Sequence, residues 1–435
     1  HAPYTGVRFM MRPNGRAFKD ERVTIMAFGL TKKELSWVLY DVGNSAFVML
    51  STALIPVYFA SIADPGSSVV VAWGYAETVA SLVLALLMPV LGSLADLAGN
   101  KKKFLVGFAG TGAVACAALG VPEHALAFLV VYVIAAIMLN GSMVFYDAFL
   151  VDATTEERYD KVSSHGYAWG YIGSCIPFIA CLAVVLGGSS FGIDAKLGMK
   201  IAFIITAVWW VIFTVPVAKN VKQLHGKKRS DHVLRTTISG LKGTVKSIMK
   251  DKRLLFFMLA FFFYIDGVHT VIKMSTSYGT DLGIDSTQLV LALLVTQFVA
   301  FPSAIAYGNL AKRFGTKRML KVGVLAYFFI VLFAAFFLKS AVEFWILAIC
   351  VGLFQGGIQA LSRSEYGKLI PKERANEYYG FFDIFGKYAA VMGTFLVSAF
   401  TQLTGSSSLG VLSIALLFIV GYLFLRAMPP MLGDS

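Results

Sequence analysis

The stretch GSLADLAGNKKKFL, residues 92–105, returns in altered form as GNLAKRFGTKRML, residues 308–320. Each copy begins with a glycine, has a second glycine seven positions later, and then carries two or three consecutive basic residues. The first glycines, Gly92 and Gly308, lie 216 positions apart in a chain of 435 residues. A repeated loop at this separation predicts a protein made of two similar halves.

The repeat extends beyond this loop. TEER at residues 155–158 pairs with PKER at residues 371–374 at the same separation of 216. Near the start of each half a separation of 225 pairs Asp41 with Asp266, and the nine-residue difference fits a longer first outer loop. Duplicated halves are typical of transporters that bind their substrate between the halves.

The composition predicts an integral membrane protein. Hydrophobic residues make up 57% and charged residues 14% of the chain, and the mean hydropathy is +0.72. Soluble domains contain about 45–50% apolar and about 25% charged residues. Apolar runs that could cross a bilayer fall near 37–61, 70–95, 104–121, 125–150, 166–187, 199–218, 254–278, 287–310, 319–338, 342–362, 378–402 and 408–427. We therefore predict an all-α membrane protein with twelve transmembrane helices in two six-helix, pseudo-symmetric halves.

This pattern divides the chain into five parts. We expect an N-terminal arm (1–36), a six-helix bundle (37–218), a basic linker (219–253), a second bundle (254–427) and a tail (428–435). The linker carries eleven Lys and Arg against two Asp. It is therefore expected to lie as an amphipathic segment along the anionic surface of the membrane.

The net charge of +13 is explained by topology rather than by nucleic acid. Of the 38 Lys and Arg residues, 33 fall in segments on one side of the predicted membrane. Basic loops stay in the cytoplasm, so this side and both termini are predicted to be cytoplasmic. The short loops favour a multi-pass protein of the bacterial inner membrane.

Motifs of enzymes and metal sites are not found. The four cysteines all fall in apolar runs, and their spacing is not that of metal ligands. The sequence contains no phosphate-binding loop and no nucleophile elbow. We expect no enzymatic activity, no catalytic residue, no cofactor and no metal.

The paired loops resemble the signature loop of the major facilitator superfamily, which implies a gate between the halves. Glycines allow tight turns and close helix approach. Asp96 is suited to pair with a cation or with a helix N-terminus, and the second copy has Lys312 at that position. A carboxylate gate is therefore expected in the first half alone. The predicted gating residues are Gly92, Asp96, Gly99, Lys101, Lys102, Gly308, Gly315 and Arg363.

Four further stretches resemble a narrower branch of that superfamily. They are WVLYDVGNSAF (37–47), GYAWGYIGS (166–174), YIDGVHTVIKM (264–274) and QGGIQALSRSEYGKLIPKER (355–374). The branch includes the vacuolar amino-acid effluxer linked to autophagy and its bacterial relatives. The resemblance implies transport, and it makes an amino acid a candidate cargo.

Polar residues inside the apolar runs are the candidates for a substrate or coupling site. A charge at the bilayer centre costs at least about 2.5–3.5 kcal/mol, so such residues face a cavity or a partner. Asp266, His269 and Lys273 recur at a spacing that places them on one helical face. The candidates are Asp41, Asn44, Asn140, Tyr146, Asp147, Tyr264, Asp266, His269, Lys273, Gln355 and Gln359.

Several of these residues have a second interpretation. Asp41 lies near the start of its run, so it belongs either to a two-sided polar centre or to the inner gate. Asp266 and Lys273 could instead form an ion pair that only stiffens their helix. Arg363 could extend to the membrane surface, and the two glutamines could hold neighbouring helices together.

The hypothesis with most support is a secondary active transporter that works by alternating access. Charges on both halves suit a small polar or zwitterionic metabolite, an amino acid or a peptide above all, with H⁺ as the coupling ion. A lipid or lysolipid translocase on the same fold is the alternative, and a non-transporting sensor is a third hypothesis. The expected partners are a small-molecule substrate, H⁺ and membrane lipids, with no nucleic acid, and the protein is expected to be a monomer.

Overall fold

The computed structural model describes residues 27–63, 69–227, 233–281 and 283–429. Parts of the predicted arm, linker and tail (1–26, 228–232 and 430–435) therefore lie outside the described residues. The helices are α1 Lys32–Ala53, α2 Ile55–Ile62, α3 Val69–Ala95, α4 Lys101–Ala118, α5 Ala125–Ala148, α6 Leu150–Ala153, α7 Tyr159–Gly187, α8 Ala195–Asn220, α9 Val233–Lys250, α10 Lys252–Asp281, α11 Ser286–Phe314, α12 Thr316–Phe337, α13 Ala341–Leu369, α14 Ala375–Thr404, α15 Ser407–Ser413 and α16 Ala415–Ala427.

The prediction of an all-helical membrane fold is confirmed. Among the described residues, nine spans are long and apolar enough to cross a membrane, and the bent pair of α1 and α2 makes a tenth. The 18-residue helix α4 and the helix α14 coincide with the two remaining apolar runs. All twelve predicted runs thus coincide with one helix or with two consecutive helices.

The break between α1 and α2 has a local cause. Pro56 lies in the first turn of α2, where its missing N–H leaves no hydrogen bond of the helix unmade. The two helices meet at an angle of 44°. At the other end, Thr31 and Glu34 form a capping box that fixes the start of α1. The N-cap residue Thr31 lies about three helical turns before Asp41.

The halves are α1–α8 and α10–α16, and the linker between them contains the helix α9. Helix α7 packs against α11 and α13 of the second half, and α14 packs against α3 and α5 of the first half. One end of the bundle carries the loops that follow α3, α6 and α11, together with the linker. We call this end the basic face.

Helix α13 extends seven residues beyond its predicted apolar run, to Leu369. This extension carries Arg363, Glu365 and Lys368. The helix continues because Arg363 and Lys368 pair with acids of the first half, whereas the buried Glu365 pairs within its own half. A polar turn of helix is thereby placed between the halves.

Candidate functional site

Arg363 of α13 lies between the halves, with 1% of its surface exposed. Its Nη1 is 3.0 Å from Oδ1 of Asp147, and both Nη atoms are 3.4 Å from Oδ2 of Asp41. It also donates to the hydroxyl and the carbonyl of Ser163, at 2.9 Å each. All of these partners of the guanidinium belong to the first half.

Three aromatic rings of the first half complete the surroundings of Arg363. Its guanidinium carbon lies 4.7 Å from the ring centre of Trp37, 5.3 Å from that of Tyr146 and 4.4 Å from that of Tyr167. Such distances allow cation–π attraction. We call the set of Trp37, Asp41, Tyr146, Asp147 and Tyr167 the arginine cage.

The cage is held in shape by its own hydrogen bonds. The Tyr146 hydroxyl donates to Oδ2 of Asp41 at 2.8 Å, and the Trp37 indole N–H donates to the Tyr146 carbonyl at 2.9 Å. The rings of Trp37 and Tyr146 stack with centres 4.3 Å apart. Gly166 forms one wall: a Cβ atom there would lie 2.8 Å from both Arg363 and Asp41. A side chain at this position would therefore force the pair apart.

Asp147 and Arg363 are 216 positions apart, so they are equivalent residues of the two halves. An acid in one half thus faces a base at the same place in the other half. Breaking a buried ion pair by removing one partner costs about 3–5 kcal/mol. With both carboxylates ionised the cluster carries two negative charges and one positive charge, which favours an additional proton or cation.

The structure brings together residues that the sequence had assigned to separate groups. Asp41 and Asp147 were predicted to belong to a binding or coupling site, and Arg363 to a gate. Asn44 supports Asp41, since its amide lies 3.4 Å from Oδ1 and also donates to the Tyr40 carbonyl. Sequence reasoning missed Trp37, Tyr167, Ser163 and Gly166 as site residues, and the repeat offset was the signal that could have paired Asp147 with Arg363.

Asp266 of α10 has a different environment. It is fully buried, and its Oδ1 accepts from the Gly393 backbone N–H at 2.9 Å and from the Thr270 hydroxyl at 3.2 Å. Its Oδ2 is buried and has no hydrogen-bond partner among the described residues. On the same helix, His269 is half-buried and Lys273 is exposed. The partners of Asp266 all belong to the second half.

The remaining candidates lie outside the arginine cage. The Tyr264 hydroxyl lies 2.7 Å from that of Ser362, and the Asn140 amide donates to Ala136 of its own helix. Gln355 reaches across the halves, with its amide nitrogen 3.4 Å from the Tyr171 hydroxyl. Gln359 is half-buried on α13, one turn before Arg363.

Asp96 connects the halves at the basic face. Its carboxylate accepts from the backbone N–H groups of Asn376 and Glu377 at 2.9 and 3.0 Å, and from the Asn376 side chain at 2.8 Å. Of the two predicted partners it therefore meets a helix N-terminus, that of α14. Burial raises the pKa of Asp96 to about 6, although Lys101 and Asn376 lower it. A Cβ atom at Gly92 would lie 2.6 Å from the Asn376 carbonyl.

The other predicted gating residues divide into two groups. Lys101 is fully buried and pairs with Asp152 at 2.6 Å, so its ion pair lies within the first half. Lys102 is half-buried, and Gly99 and Gly315 form turns at φ values of +84° and +88°. Gly308 does face the other half: a Cβ atom there would lie 2.6 Å from the Ser164 hydroxyl.

Asp160 is a further acidic contact between the halves, and the sequence did not reveal it. Its carboxylate accepts from Thr316, the first residue of α12, at 2.7 Å. It also accepts from Ser364 at 2.5 Å and from Lys368 at 2.7 Å. Asp160 is equivalent to Asn376 by the offset of 216. Both signature loops therefore form hydrogen bonds with the opposite half, the first through Asp96 and the second through Thr316.

Known proteins give a consistent comparison. The family described as "Vacuole effluxer Atg22 like" matches residues 66–430. The "Uncharacterized MFS-type transporter YxiO" of Bacillus subtilis (strain 168) is 45% identical over 408 residues, covering 92% of this chain and 95% of YxiO. Autophagy-related protein 22 of Cryptococcus neoformans var. neoformans serotype D (strain JEC21 / ATCC MYA-565) is 26% identical over 283 residues. That match covers 60% of this chain, and the chain spans 48% of the fungal protein.

Solved structures share the fold at low sequence identity. The major facilitator superfamily transporter FucP in the outward conformation aligns with a TM-score of 0.69 and 13% identity, covering 92% of this chain and 99% of FucP. The proton:xylose symporter XylE aligns with a TM-score of 0.68 and 10% identity, over 92% and 94% of the two chains. The chain therefore belongs to the Atg22-like vacuole effluxer family and is a transporter of the major facilitator superfamily, not an enzyme.

Proposed function

We propose that this secondary transporter moves a small polar or zwitterionic metabolite by alternating access and that H⁺ is the coupling ion. The observation that carries the proposal is the buried ion pair of Arg363 with Asp147 and Asp41, at 3.0 and 3.4 Å, between the two halves. Charges of both signs at one interface suit a substrate with both an amine and a carboxylate. An amino acid or a peptide-like molecule is therefore favoured.

The contacts between the halves support an alternating mechanism. From Gln355 through the arginine cage to Asp96 and Asp160, hydrogen bonds join the halves down to the basic face. This face is closed in the present structure. To open it, Arg363 must leave the buried Asp41 and the half-buried Asp147, which is costly unless a proton or a cation replaces its charge. Substrate and ion binding would thereby be coupled to opening.

We further propose that the basic face is cytoplasmic, because basic loops remain on that side of a bacterial inner membrane. Both termini would then be cytoplasmic. The relative from Bacillus subtilis supports a bacterial plasma membrane, and the description of the family as effluxers supports export. The protein would work as a monomer, since each chain contains both halves of the site.

Asp266 is the proposed proton carrier. A carboxyl group with one satisfied oxygen and one buried oxygen without a partner is suited to hold a proton on the second oxygen. His269 and Lys273 follow on the same helix and would adjust its charge. When Arg363 withdraws, Asp41 and Asp147 would bind the proton or the cation that replaces its positive charge.

Proteoliposomes with an imposed pH gradient test this proposal. Purified protein would first be screened by thermal shift against amino acids, peptides and other small metabolites at two pH values. We expect Asp266→Asn to abolish gradient-driven uptake of the ligand found, while exchange of internal for external ligand continues. The matched control is Glu373→Gln, which removes an exposed acid at a turn. If Asp266→Asn transports with an unchanged response to the gradient, the coupling role is wrong.

The alternative of a lipid or lysolipid translocase is favoured by one observation. A cavity in the second half is lined largely by apolar side chains of α10, α11, α12, α13 and α15, beside Gln355. Its walls include Val271, Ile330, Val351 and Ile414. Movement of a fluorescent lysolipid between the leaflets of the same proteoliposomes would decide. If the lysolipid moved as fast as the metabolite is taken up, or moved when no metabolite is taken up, the translocase would be favoured.

A further inference from the structure

The arginine cage and its occupant belong to different halves of the protein. Trp37, Asp41, Tyr146, Asp147 and Tyr167 come from α1, α5 and α7, all in the first half. Arg363 comes from α13 of the second half. When the basic face opens, Arg363 moves away with its own half. The first half then keeps a preformed site that fits a guanidinium group.

The chemistry of the cage is specific for a flat, delocalised cation. Three ring centres lie within 5.3 Å of the guanidinium carbon, and two carboxylates lie within 3.4 Å of its nitrogens. Ser163 adds a hydroxyl and a carbonyl that accept from Nε and Nη2. A guanidinium stacks on aromatic faces and donates in a planar fork, which a compact ammonium group does not do.

An empty cage would be electrostatically unstable. Asp41 and Asp147 have only 6% and 18% of their side-chain surface exposed, and both rely on Arg363 for a counter-charge. Leaving buried carboxylates without a partner costs several kcal/mol. A cation that enters from the basic face would therefore be bound as Arg363 departs.

We infer that the open basic face exposes a binding site for organic cations of the guanidinium class, and that Arg363 is a built-in competitor for this site. Binding of the cation and closure of the basic face are then mutually exclusive. The return of Arg363 displaces the ligand from the cage and into the space between the halves. This inference rests on the proposed function only where it makes the cation a substrate, because binding can be measured without transport.

Two variants of the full-length protein expose the cage in different ways. Arg363→Ala removes the occupant, and Gly92→Leu keeps Arg363 but separates the halves, because its side chain would collide with the Asn376 backbone. The probe is ethylguanidinium, added to purified protein at pH 7 and followed by isothermal titration calorimetry. We expect both variants to bind it about tenfold more tightly than the unaltered protein, because they lack the competitor in the cage.

Two controls test whether the cage itself binds the probe. Adding Asp147→Asn to Arg363→Ala removes a carboxylate of the cage and should abolish the gain in affinity. Ethylammonium should bind at least severalfold more weakly than ethylguanidinium. If neither folded variant binds ethylguanidinium, or if acidification to pH 5 stabilises Arg363→Ala and the probe adds nothing, protons replace Arg363 and the inference is overturned. Failure to find metabolite uptake would refute the proposed function and would leave this binding result unchanged.

Discussion

Asp41 and Asp266 occupy equivalent positions in the two halves, yet their partners differ. Asp41 faces the other half, where it meets Arg363, and it accepts from Tyr146. Asp266 stays within its own half, where the Gly393 backbone and Thr270 satisfy one of its oxygens. The repeat thus predicts the position of an acid along its helix, but it does not predict whether the acid contacts its own half or the other half. In the proposed alternating mechanism, the first acid lies at the moving interface and the second lies inside one half that moves as a rigid body.

A glycine beside each acid explains how both fit. A Cβ atom at Gly166 would lie 2.8 Å from Oδ2 of Asp41, and one at Gly393 would lie 2.6 Å from Oδ1 of Asp266. The first glycine leaves room for the guanidinium of the opposite half. The second offers its own backbone N–H to the carboxylate. Gly166 therefore makes room for an ion pair between the halves, whereas Gly393 donates a backbone hydrogen bond within one half.

The largest effect is expected from Arg363→Ala, which removes the central charge of the interface between the halves. Loss of one partner of a buried ion pair costs about 3–5 kcal/mol, so the rate of substrate exchange in proteoliposomes should fall by roughly two orders of magnitude or more. Arg363→Lys keeps the charge but loses the planar fork, and an intermediate rate is expected. If Arg363→Ala exchanged substrate at the rate of the unaltered protein, the ion pair would not be needed for alternating access.

Gly92→Ala should open the basic face without changing any charge. Its Cβ atom would lie 2.6 Å from the Asn376 carbonyl, and overpacking of this kind costs about 1–3 kcal/mol. Spin labels at the exposed positions Lys103 and Glu373, with the native cysteines replaced, would report a longer distance between the halves. Gly107→Ala is the control, since no described atom outside its own helix lies within 4 Å of that site. An equal distance change in both variants would exclude the close approach as its cause.

The two regions also differ in how far the sequence could predict them. Hydropathy was sufficient for the twelve spans because the bilayer sets the length of an apolar helix. The repeated loops indicated the gate, and Asp96 does meet a helix N-terminus. The pairing of Arg363 with Asp41 was not predictable, because α13 continues past its apolar run and hydropathy assigns that turn to the membrane surface.

The environment of Asp266 was predicted even less well. Helical spacing placed it with His269 and Lys273 on one face, but spacing within a helix cannot show that a neighbouring helix contributes Gly393. A backbone N–H has no signature in the sequence. Asp147 and Arg363 are different, since their separation of 216 equals the repeat offset. Opposite charges at equivalent positions of two halves can therefore indicate a contact near the axis that relates them.

Gly393→Ala tests the rigid half. A Cβ atom there would collide with Thr270 and would lie 2.6 Å from Oδ1 of Asp266, so both side chains must move and the hydrogen bond of the carboxylate to the backbone is disturbed. We expect a loss of about 1–3 kcal/mol in stability, measured as a lower melting temperature, and weaker coupling to a pH gradient. Gly386→Ala on the same helix is the control, because its Cβ would make an ordinary contact with Phe261 at 3.5 Å. If folded Gly393→Ala responded normally to a pH gradient, the environment of Asp266 would not be needed for coupling.

The smallest expected effect is a pH dependence of the equilibrium between the closed and the open basic face. In the closed basic face burial raises the pKa of Asp96 to about 6, from an ordinary value of 3.8, although Lys101, Lys227 and Asn376 oppose the rise. When the face opens, water reaches the carboxyl group and its pKa falls back toward the ordinary value. The closed state therefore binds more protons between about pH 4 and pH 6.

Asp96 should consequently contribute a shift toward closure on acidification, which by itself raises the ratio of closed to open molecules roughly tenfold from pH 7 to pH 5. It opposes the shift toward opening that protonation of Asp41 and Asp147 would give. The gain is lost as the pH rises through 6, because Asp96 is then ionised in both states. The same pair of spin labels measures this ratio. Asp96→Asn should remove this contribution, whereas Asp266→Asn, in the rigid half, should leave it intact. If Asp266→Asn abolished it instead, the interior acid would control the interface, and the distinction between the two regions would fail.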